Sequence, residues 1–539
     1  MAMARGLPLA LLAASIAILH HAASTTSTAA AVIPATNTTS FLRCLAAHIP
    51  PGVVYTQASQ SYPSVLEFSI KNLRFVTPAT PTPLAIVAAT NASHVQAVVR
   101  CGTRHGVRVR PRSGGHDYEG LSYRSLDAAC PFAVADLAAL RAVRVDSARK
   151  TAWVGSGATL GELYYAIAKR SSRLGFPGGL GPTVGTGGHL SGGGFGLLLR
   201  KHGLAADHVI DAIIVDAKGR LLDRAAMGED LFWALRGGGG GSFGIVLSWK
   251  LRLVRVPATV TVLTVHRPRN QSATALVTKW QRVAPALPRD VFLRVVLQSQ
   301  DAQFQTLYLG TRSGLVKTMT TTFPELGVGK HDCIEMTWIE AVLYFAFYST
   351  GKPMEMLLDR GEKPDRYFKA KSDFVREPIP SSVWESTWSW LLKDGAGLLI
   401  LDPYGGRMGA VAPSATPFPH RQELYNIQYY GFWFENGTQA AEKHVGWIRE
   451  VHREMAPYVS RSPRGAYMNY RDLDLGLNDD DDSGVTSYEK ARVWGEMYFK
   501  ANFERLAAVK AKVDPDDFFK HEQSIPPLDS SSRNGSSLS

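Results

Sequence analysis

The stretch Arg110-Pro-Arg-Ser-Gly-Gly-His-Asp-Tyr-Glu-Gly120 sets a histidine directly behind two glycines. Gly114 and Gly115 carry no side chains, so the backbone there can approach something flat or bulky. Beside them His116 could serve as a base, a metal ligand, a covalent attachment point or a buried polar residue. The densest second signal is GGLGPTVGTGGHLSGGGFGLLLRKHG, residues 178–203. Glycine weakens helices and strands alike, so Gly185, Gly187, Gly188, Gly192, Gly193, Gly194 and Gly196 are not expected in a packed element. Such a loop aims successive backbone N–H groups at an anion, and a helix opening at FGLLLRKHG would add its positive end. The run fails G-x-G-x-x-G, because Leu190 stands where the third glycine belongs, and no G-K-[ST] follows. A Rossmann or NTPase site is therefore disfavoured and an extended pyrophosphate cradle stays open. A second run, RGGGGGSFG at 236–244, precedes a strand. Three such loops in one region favour a dinucleotide, and a tightly held flavin suits a secreted protein better than a nicotinamide. His189 reads more readily as loop packing than as a ligand. Trp338 reads as core or pocket wall, and Cys333 as a buried thiol. No His, Cys and carboxylate cluster has zinc spacing, and NDDDDSG at 478–484 lacks EF-hand spacing, so no metal is expected.

The elements that must hold these loops follow from periodicity. From Leu84 the chain reads strand LAIVAAT, helix ASHVQAVVRCGTRHG with Asn91 at its N-cap, then strand VRVRPRSGG. Further strands are expected at PFAVADL, RAVRVDSARKTAWVGSG and VIDAIIVDAKGRLLD, the last broken at DAKG, with a helix over TLGELYYAIAKR. From 258 to 465, strands TVTVLTVH, VFLRVVLQSQ, AQFQTLYLG, LLILDPYGG and YNIQYYGFWFE mix with helices TALVTKWQRVA and HVGWIREVHREM, an antiparallel sheet covered by helices. One long helix is expected over SYEKARVWGEMYFKANFERLAAVKAKV. The fold class is α+β, with a first unit over 41–257, a second over 258–465 and a returning segment over 466–530.

The bulk numbers set the compartment. Residues 1–24 combine Arg5, an apolar run from Leu7 to Leu19 and small residues, a secretory signal peptide too short to span a membrane. No later segment is apolar for long enough, so no membrane contact is expected. Sequons at Asn37, Asn91, Asn270, Asn436 and Asn534 agree with an extracellular location. Four cysteines allow three pairings; Cys44 with Cys101 would pin the N-terminal segment, while Cys130 and Cys333 could be thiols. The net charge of +12 is scattered without a dense basic run, which argues against nucleic acid and for solubility or acidic wall polymers.

The motifs RSGGHDYEGLSY, PTVGTGGHLSGGGFG, LFWALRGGGGGSFGIV, TPFPHR, LYNIQY, AYMNYRDLDLG and VDPDDFFKHEQSIPP occur in one order from Phe41 to about Pro527. Together they resemble the berberine bridge enzyme-like family of plant FAD-linked oxidoreductases, the grass group 4 pollen allergens most of all. The resemblance implies a vanillyl-alcohol-oxidase-type FAD domain and a substrate domain whose sheet roofs the flavin. It implies that His116 bonds covalently to the flavin and that Arg112, Ser113, Gly114, Gly115, Thr183, Val184, Gly185, Gly187, Gly188, His189, Gly193 and Gly194 surround FAD. Family members commonly bind flavin C6 through a cysteine before PTVG; here Gly181 stands there, so a single link is expected. The resemblance makes Tyr470 the base that takes the substrate O–H proton while hydride leaves for the flavin, with Gln428 orienting substrate and Tyr118 lining the pocket. A phenol needs activation for that task. The lysine of many relatives is Asn426 here, so the source of activation is open. Phe195 replaces a family tyrosine. Val184, after PT, is similar to members that admit oxygen, which implies reoxidation of FAD by molecular oxygen with release of hydrogen peroxide.

The implied protein is a secreted, monomeric oxidase of a small hydroxyl substrate. The candidates are a sugar hemiacetal and an allylic aromatic alcohol, and Phe195 and Asn426 favour the carbohydrate. The alternatives are a flavin dehydrogenase using another acceptor and a non-catalytic extracellular protein that keeps the fold, which Gly181 and Asn426 make credible. A C–C bond-forming enzyme would want a carboxylate where Gln428 sits.

Overall fold

The computed structural model describes residues 35–128, 130–348, 350–361, 365–481 and 484–528. The signal segment 1–24 and the sequon at Asn534 lie outside the described residues. No helix among the described residues is long and apolar enough to cross a membrane.

The N-terminal half holds two sheets. Strands β1 (Val54–Thr56), β2 (Ala85–Ala88), β3 (Arg108–Arg112) and β4 (Phe132–Asp136) form the first in the order β1-β2-β4-β3, with the β2-β4 and β4-β3 pairs parallel. Helices α1 (Ala35–His48) and α2 (Ala92–His105) pack together, joined by the Cys44–Cys101 disulfide. Asn91 Oδ1 accepts the His94 N–H at 3.3 Å and so caps α2. Strands β5 (Val143–Asp146), β6 (Thr151–Gly155), β7 (Val209–Val215), β8 (Leu221–Leu222) and β9 (Ile245–Arg252) form an antiparallel sheet in the order β5-β6-β9-β7-β8. Helix α3 (Leu160–Arg170) packs against β5 and starts in a capping box between Thr159 and Glu162.

The second half is built on seven antiparallel strands: β10 (Val260–Pro268), β11 (Val291–Gln298), β12 (Asp301–Tyr308), β13 (Ile334–Met336), β14 (Tyr367–Val375), β15 (Leu398–Pro403) and β16 (Tyr425–Trp433). Their order is β13-β10-β12-β11-β15-β16-β14. Alternation divides the sheet's faces. Leu293, Val295, Leu399, Leu401, Ile427 and Tyr429 are buried in one core with Trp280, Trp388 and Trp447. Those tryptophans come from α5 (Ala273–Ala286), α6 (Ser381–Leu391) and α7 (Thr438–Met455). The opposite face, with Phe292, Arg294, Ile400, Asp402, Gln428 and Tyr430, looks back at the N-terminal half across a cavity.

Three sequence expectations change. The long C-terminal helix is two, α8 (Tyr488–Phe499) and α9 (Asn502–Val513), because Lys500 takes a positive φ of 47° between them. Part of the glycine run does form a helix, α4 (Thr186–Ser191), while the helix expected at FGLLLRKHG is only Leu199–His202. No strand was expected over β14, whose Lys369, Lys371 and Asp373 are buried.

Candidate active site

The cavity between the halves measures about 930 Å³, at the upper end of small-molecule sites. Its floor is made by the loop carrying Ser113 to Tyr118, by residues 179–189 and by Gly239 to Gly241. The first two loops touch backbone to backbone. A Cβ on Gly114 would lie 2.3 Å from Gly185 N, and one on Gly185 would lie 2.2 Å from Ser113 Oγ. Gly115 has φ of +71°, and a Cβ there would strike Ser69 O at 2.0 Å. Only glycine permits this junction, and the junction sets His116 beside Thr183, with Nε2 3.0 Å from Thr183 Oγ1.

Burial, with the Lys71 ammonium adding to it, lowers the His116 imidazole from 6.5 to about 3. His116 is thus neutral and keeps a lone pair. His189 Nε2 accepts the Gly179 N–H at 3.0 Å, and burial lowers it to about 4, so it stays a neutral packing group on the wall. The C-terminal return closes one side: Arg471 Nε donates to Asp117 Oδ2 at 2.8 Å, joining this segment to the His116 loop. Lys369, buried on β14, donates to Glu119 and to Asp472 Oδ1, the latter at 2.7 Å, and Lys371 reaches Asp474 Oδ2 at 2.9 Å. These buried pairs hold the Tyr118 and Tyr470 loops to the roof.

At the roof end, Tyr118 stacks on Tyr470 with centroids 5.7 Å apart and planes at 11°, and Gln428 Nε2 donates to Tyr118 Oη at 2.7 Å. Phe195 meets Tyr470 edge-on at 6.1 Å. Burial, and then the Asp402 charge, push the Tyr470 phenol well above its usual 10, so it is protonated at neutral pH. Sequence reasoning missed Asp402 and Arg294. Burial lifts the Asp402 carboxyl from 3.8 to about 6 against the opposing pull of Arg294. Continuing the β11–β15 register by one step sets Arg294 opposite Asp402. Arg294 Nε donates to Gln305 Oε1 at 2.7 Å. Among the described residues, neither the Arg294 terminal nitrogens nor the Asp402 oxygens have a hydrogen-bond partner, and the two do not close into an ion pair. The available signal was a lone charge interrupting an apolar strand, in VFLRVVL and LLILDP.

Four expected site residues lie off the cavity wall. Arg112 is fully buried, ion-paired with Asp136 and donating to Leu66 O at 2.8 Å and Val65 O at 2.8 Å, so it anchors β3 instead of facing a phosphate. Asn426 is fully buried off the wall, its Nδ2 donating to Asp373 O at 2.9 Å, and it stands opposite Asp402 in the β15–β16 register. Gly193 and Gly194 lie behind the wall, with Gly194 N–H donating to Tyr467 Oη at 3.0 Å. The other expected residues, Ser113, Gly114, Gly115, His116, Tyr118, Thr183, Val184, Gly185, Gly187, Gly188, His189, Gln428 and Tyr470, all line it.

The donor set fits a dinucleotide. Ser122 Oγ and Ser156 Oγ sit on the wall, buried and without a partner among the described residues, beside glycine backbone and the aliphatic side chains of Val109, Leu137, Leu160 and Leu197. The one grouping of potential metal ligands among the described residues is Cys44, His48 and Cys101, whose thiols are spent on the disulfide.

Two family models match: "FAD binding domain" over residues 83–224 and "Berberine and berberine like" over 466–526. The chain is 55% identical over 489 residues to berberine bridge enzyme-like Cyn d 4 of Cynodon dactylon, covering 90% of this chain and 93% of that one. It is similar to the structure of wild-type Phl p 4.0202, a glucose dehydrogenase (TM-score 0.89, 50% identity, 91% of this chain and 99% of that one). The Phl p 4 variant with isoleucine-to-valine and asparagine-to-histidine substitutions five residues apart is a glucose oxidase (TM-score 0.89, 50% identity, 91% and 100% covered). The first substitution alone also gives a glucose oxidase, and the second alone a glucose dehydrogenase. The chain belongs to the berberine bridge enzyme-like family of FAD-binding oxidoreductases.

Proposed function

We propose that this protein is a secreted oxidase of a sugar hemiacetal hydroxyl, holding FAD by a single covalent link at His116 and passing electrons to molecular oxygen. The reading divides the chain into an FAD domain (41–257), a substrate domain (258–465) and a return to the FAD domain (466–530). The observation that carries it is the pair Val184 and His189, five residues apart as are the two Phl p 4 substitutions, with Val184 on the cavity wall. In Phl p 4 the valine alone turns a glucose dehydrogenase into a glucose oxidase.

His116 supports the link because it is neutral, buried and fixed against Thr183. Gly181 lines the same wall, with no thiol to make a second link. A bound flavin would supply the hydride acceptor and the route of the electrons to oxygen. The chain's own residues handle the hydroxyl proton. Protonated Tyr470 and Tyr118 offer hydrogen bonds, with Gln428 fixing Tyr118. Asp402 is the wall carboxylate without a partner among the described residues and is ionised at neutral pH, a form the Arg294 charge favours, so it receives the proton directly or through Tyr470 and becomes neutral. Asp402 and Arg294 also offer the acceptor and donor that a polyol requires.

The test is peroxide release from the secreted protein over a panel of sugars and cinnamyl-type alcohols. Peroxide formed with sugars supports the reading. Turnover only with an artificial acceptor would make it a dehydrogenase, and no flavin reduction by any substrate would make it a binding protein.

A further inference from the structure

The lysines and arginines are spread along the sequence, but the fold gathers three groups of them on one face. Register places Arg144 of β5 opposite Trp153 of β6, and Trp153 opposite Lys250 of β9. Arg252 follows on the same face, opposite Thr151, while Ala152 and Leu251 alternate into the core. The ends of the strands bring in more. Lys150 O accepts the Leu253 N–H at 2.8 Å, and Arg173 O accepts the Val256 N–H at 3.0 Å, so Lys150, Arg173, Arg252 and Arg255 are neighbours. Arg170 closes the last turn of α3, which packs on β5.

Two of the acids here are already paired: Asp146 is held by Arg149 at 3.2 Å, and Glu162 by Arg141 at 3.2 Å and Arg360 at 2.7 Å. Asp211 lies opposite Lys250 in the register, the one acid beside the basic groups without an ion pair among the described residues. Arg144, Lys150, Arg170, Arg173, Arg252 and Arg255 make no side-chain ion pair or hydrogen bond among the described residues, and all but half-buried Lys150 are exposed. Positive charge thus accumulates without internal neutralisation. The face also carries one flat ring: Trp153 is half-buried, with Lys250 Nζ 5.7 Å from its centroid.

A matching partner presents anionic groups at a spacing like that of Arg144 and Lys250, about 10 Å or two strand spacings. It must also offer a flat, partly apolar surface to the indole. A lipid surface would want apolar anchors, and none of the exposed large apolar side chains lies on β5, β6 or β9. Duplex DNA offers phosphates but keeps its flat faces stacked inside. A uronic-acid polymer offers both: carboxylates that arginine pairs bidentately, and sugar C–H faces that stack on an aromatic ring.

We propose that the face of β5, β6 and β9 binds an acidic polysaccharide, arginines pairing with uronate carboxylates and Trp153 stacking on a sugar ring. None of Arg144, Trp153, Lys250 and Arg252 lines the cavity, so this surface is independent of the redox site.

The test uses full-length holoprotein and measures binding to polygalacturonate, fully methyl-esterified polygalacturonate, duplex DNA and phosphatidylserine vesicles, at low and high salt. Polygalacturonate should bind tightest, weaken with salt and lose affinity on esterification. The triple variant Arg144→Ala, Lys250→Ala, Arg252→Ala should weaken binding about tenfold while flavin absorbance is unchanged. Trp153→Ala should weaken it too, and Arg461→Ala, an exposed charge elsewhere, should not. Equal binding by the triple variant, no effect of Trp153→Ala, or tighter binding to DNA or vesicles would each overturn the proposal.

Discussion

Replacing Asp402 by asparagine should make the protein more stable and a poorer catalyst. The carboxyl is buried among Arg294, Tyr404, Tyr467 and Tyr470, with no hydrogen-bond partner among the described residues, and its pKa rises from 3.8 to about 6. A raised carboxyl means that the folded protein holds its proton longer than the unfolded chain does. Below 3.8 both states are protonated and nothing is lost. As pH rises to about 6 the unfolded chain ionises first and folding stability falls; above that the loss is complete. Two pKa units correspond to about 3 kcal/mol, a ceiling that relaxation around the charge reduces to about 1–2 kcal/mol. Asp402→Asn removes that cost while keeping the size of the side chain. Urea unfolding of both proteins should show the variant more stable by about 1–2 kcal/mol at about pH 7.5, with the gap closing near pH 4.5. Its kcat/KM for the sugar should fall about tenfold or more, because the proton acceptor is lost together with a hydrogen bond to a charged group. A variant less stable at both pH values, or one with unchanged sugar kinetics, would refute the assignment of Asp402 as an unneutralised functional carboxylate.

Val184→Ile should slow reoxidation by oxygen about tenfold or more while dye-coupled sugar oxidation persists, in stopped-flow mixing of the reduced protein with oxygen. Gly114→Ala should cost about 1–3 kcal/mol, because its Cβ meets Gly185 backbone that cannot retreat, and should lower the fraction of acid-stable flavin. A melting curve and an acid precipitation check both effects. His189 and His452 are held neutral by burial, at about 4 and about 3. The unfolded chain therefore takes up their protons first as pH falls below 6.5, and about 2 kcal/mol per histidine is lost by about pH 5. Unfolding midpoints at the two pH values, with and without His452→Gln, measure that loss.

The glycine loops were legible because close backbone approach admits no substitute: Gly114, Gly185 and their neighbours had to meet something, and they meet each other around His116. The outer face of the roof was legible because Leu293, Leu399 and Ile427 keep a two-residue period against helical tryptophans. Its inner face was not. Arg294 and Asp402 are single charges in apolar strands, and only register shows them opposite one another. Arg112 was placed beside FAD by resemblance alone, and its burial was not legible because Asp136, which pairs with it, sits on the neighbouring parallel strand. Lys369 and Lys371 were not identified at all, since their partners Glu119, Asp472 and Asp474 lie far away in sequence.

The visible spectrum before and after acid precipitation, with peptide mass mapping, tests the single flavin link at His116. The yellow colour should stay in the pellet, and the flavin mass should fall on the His116 peptide and on no cysteine peptide. Flavin released into the supernatant, or attached elsewhere, would contradict it.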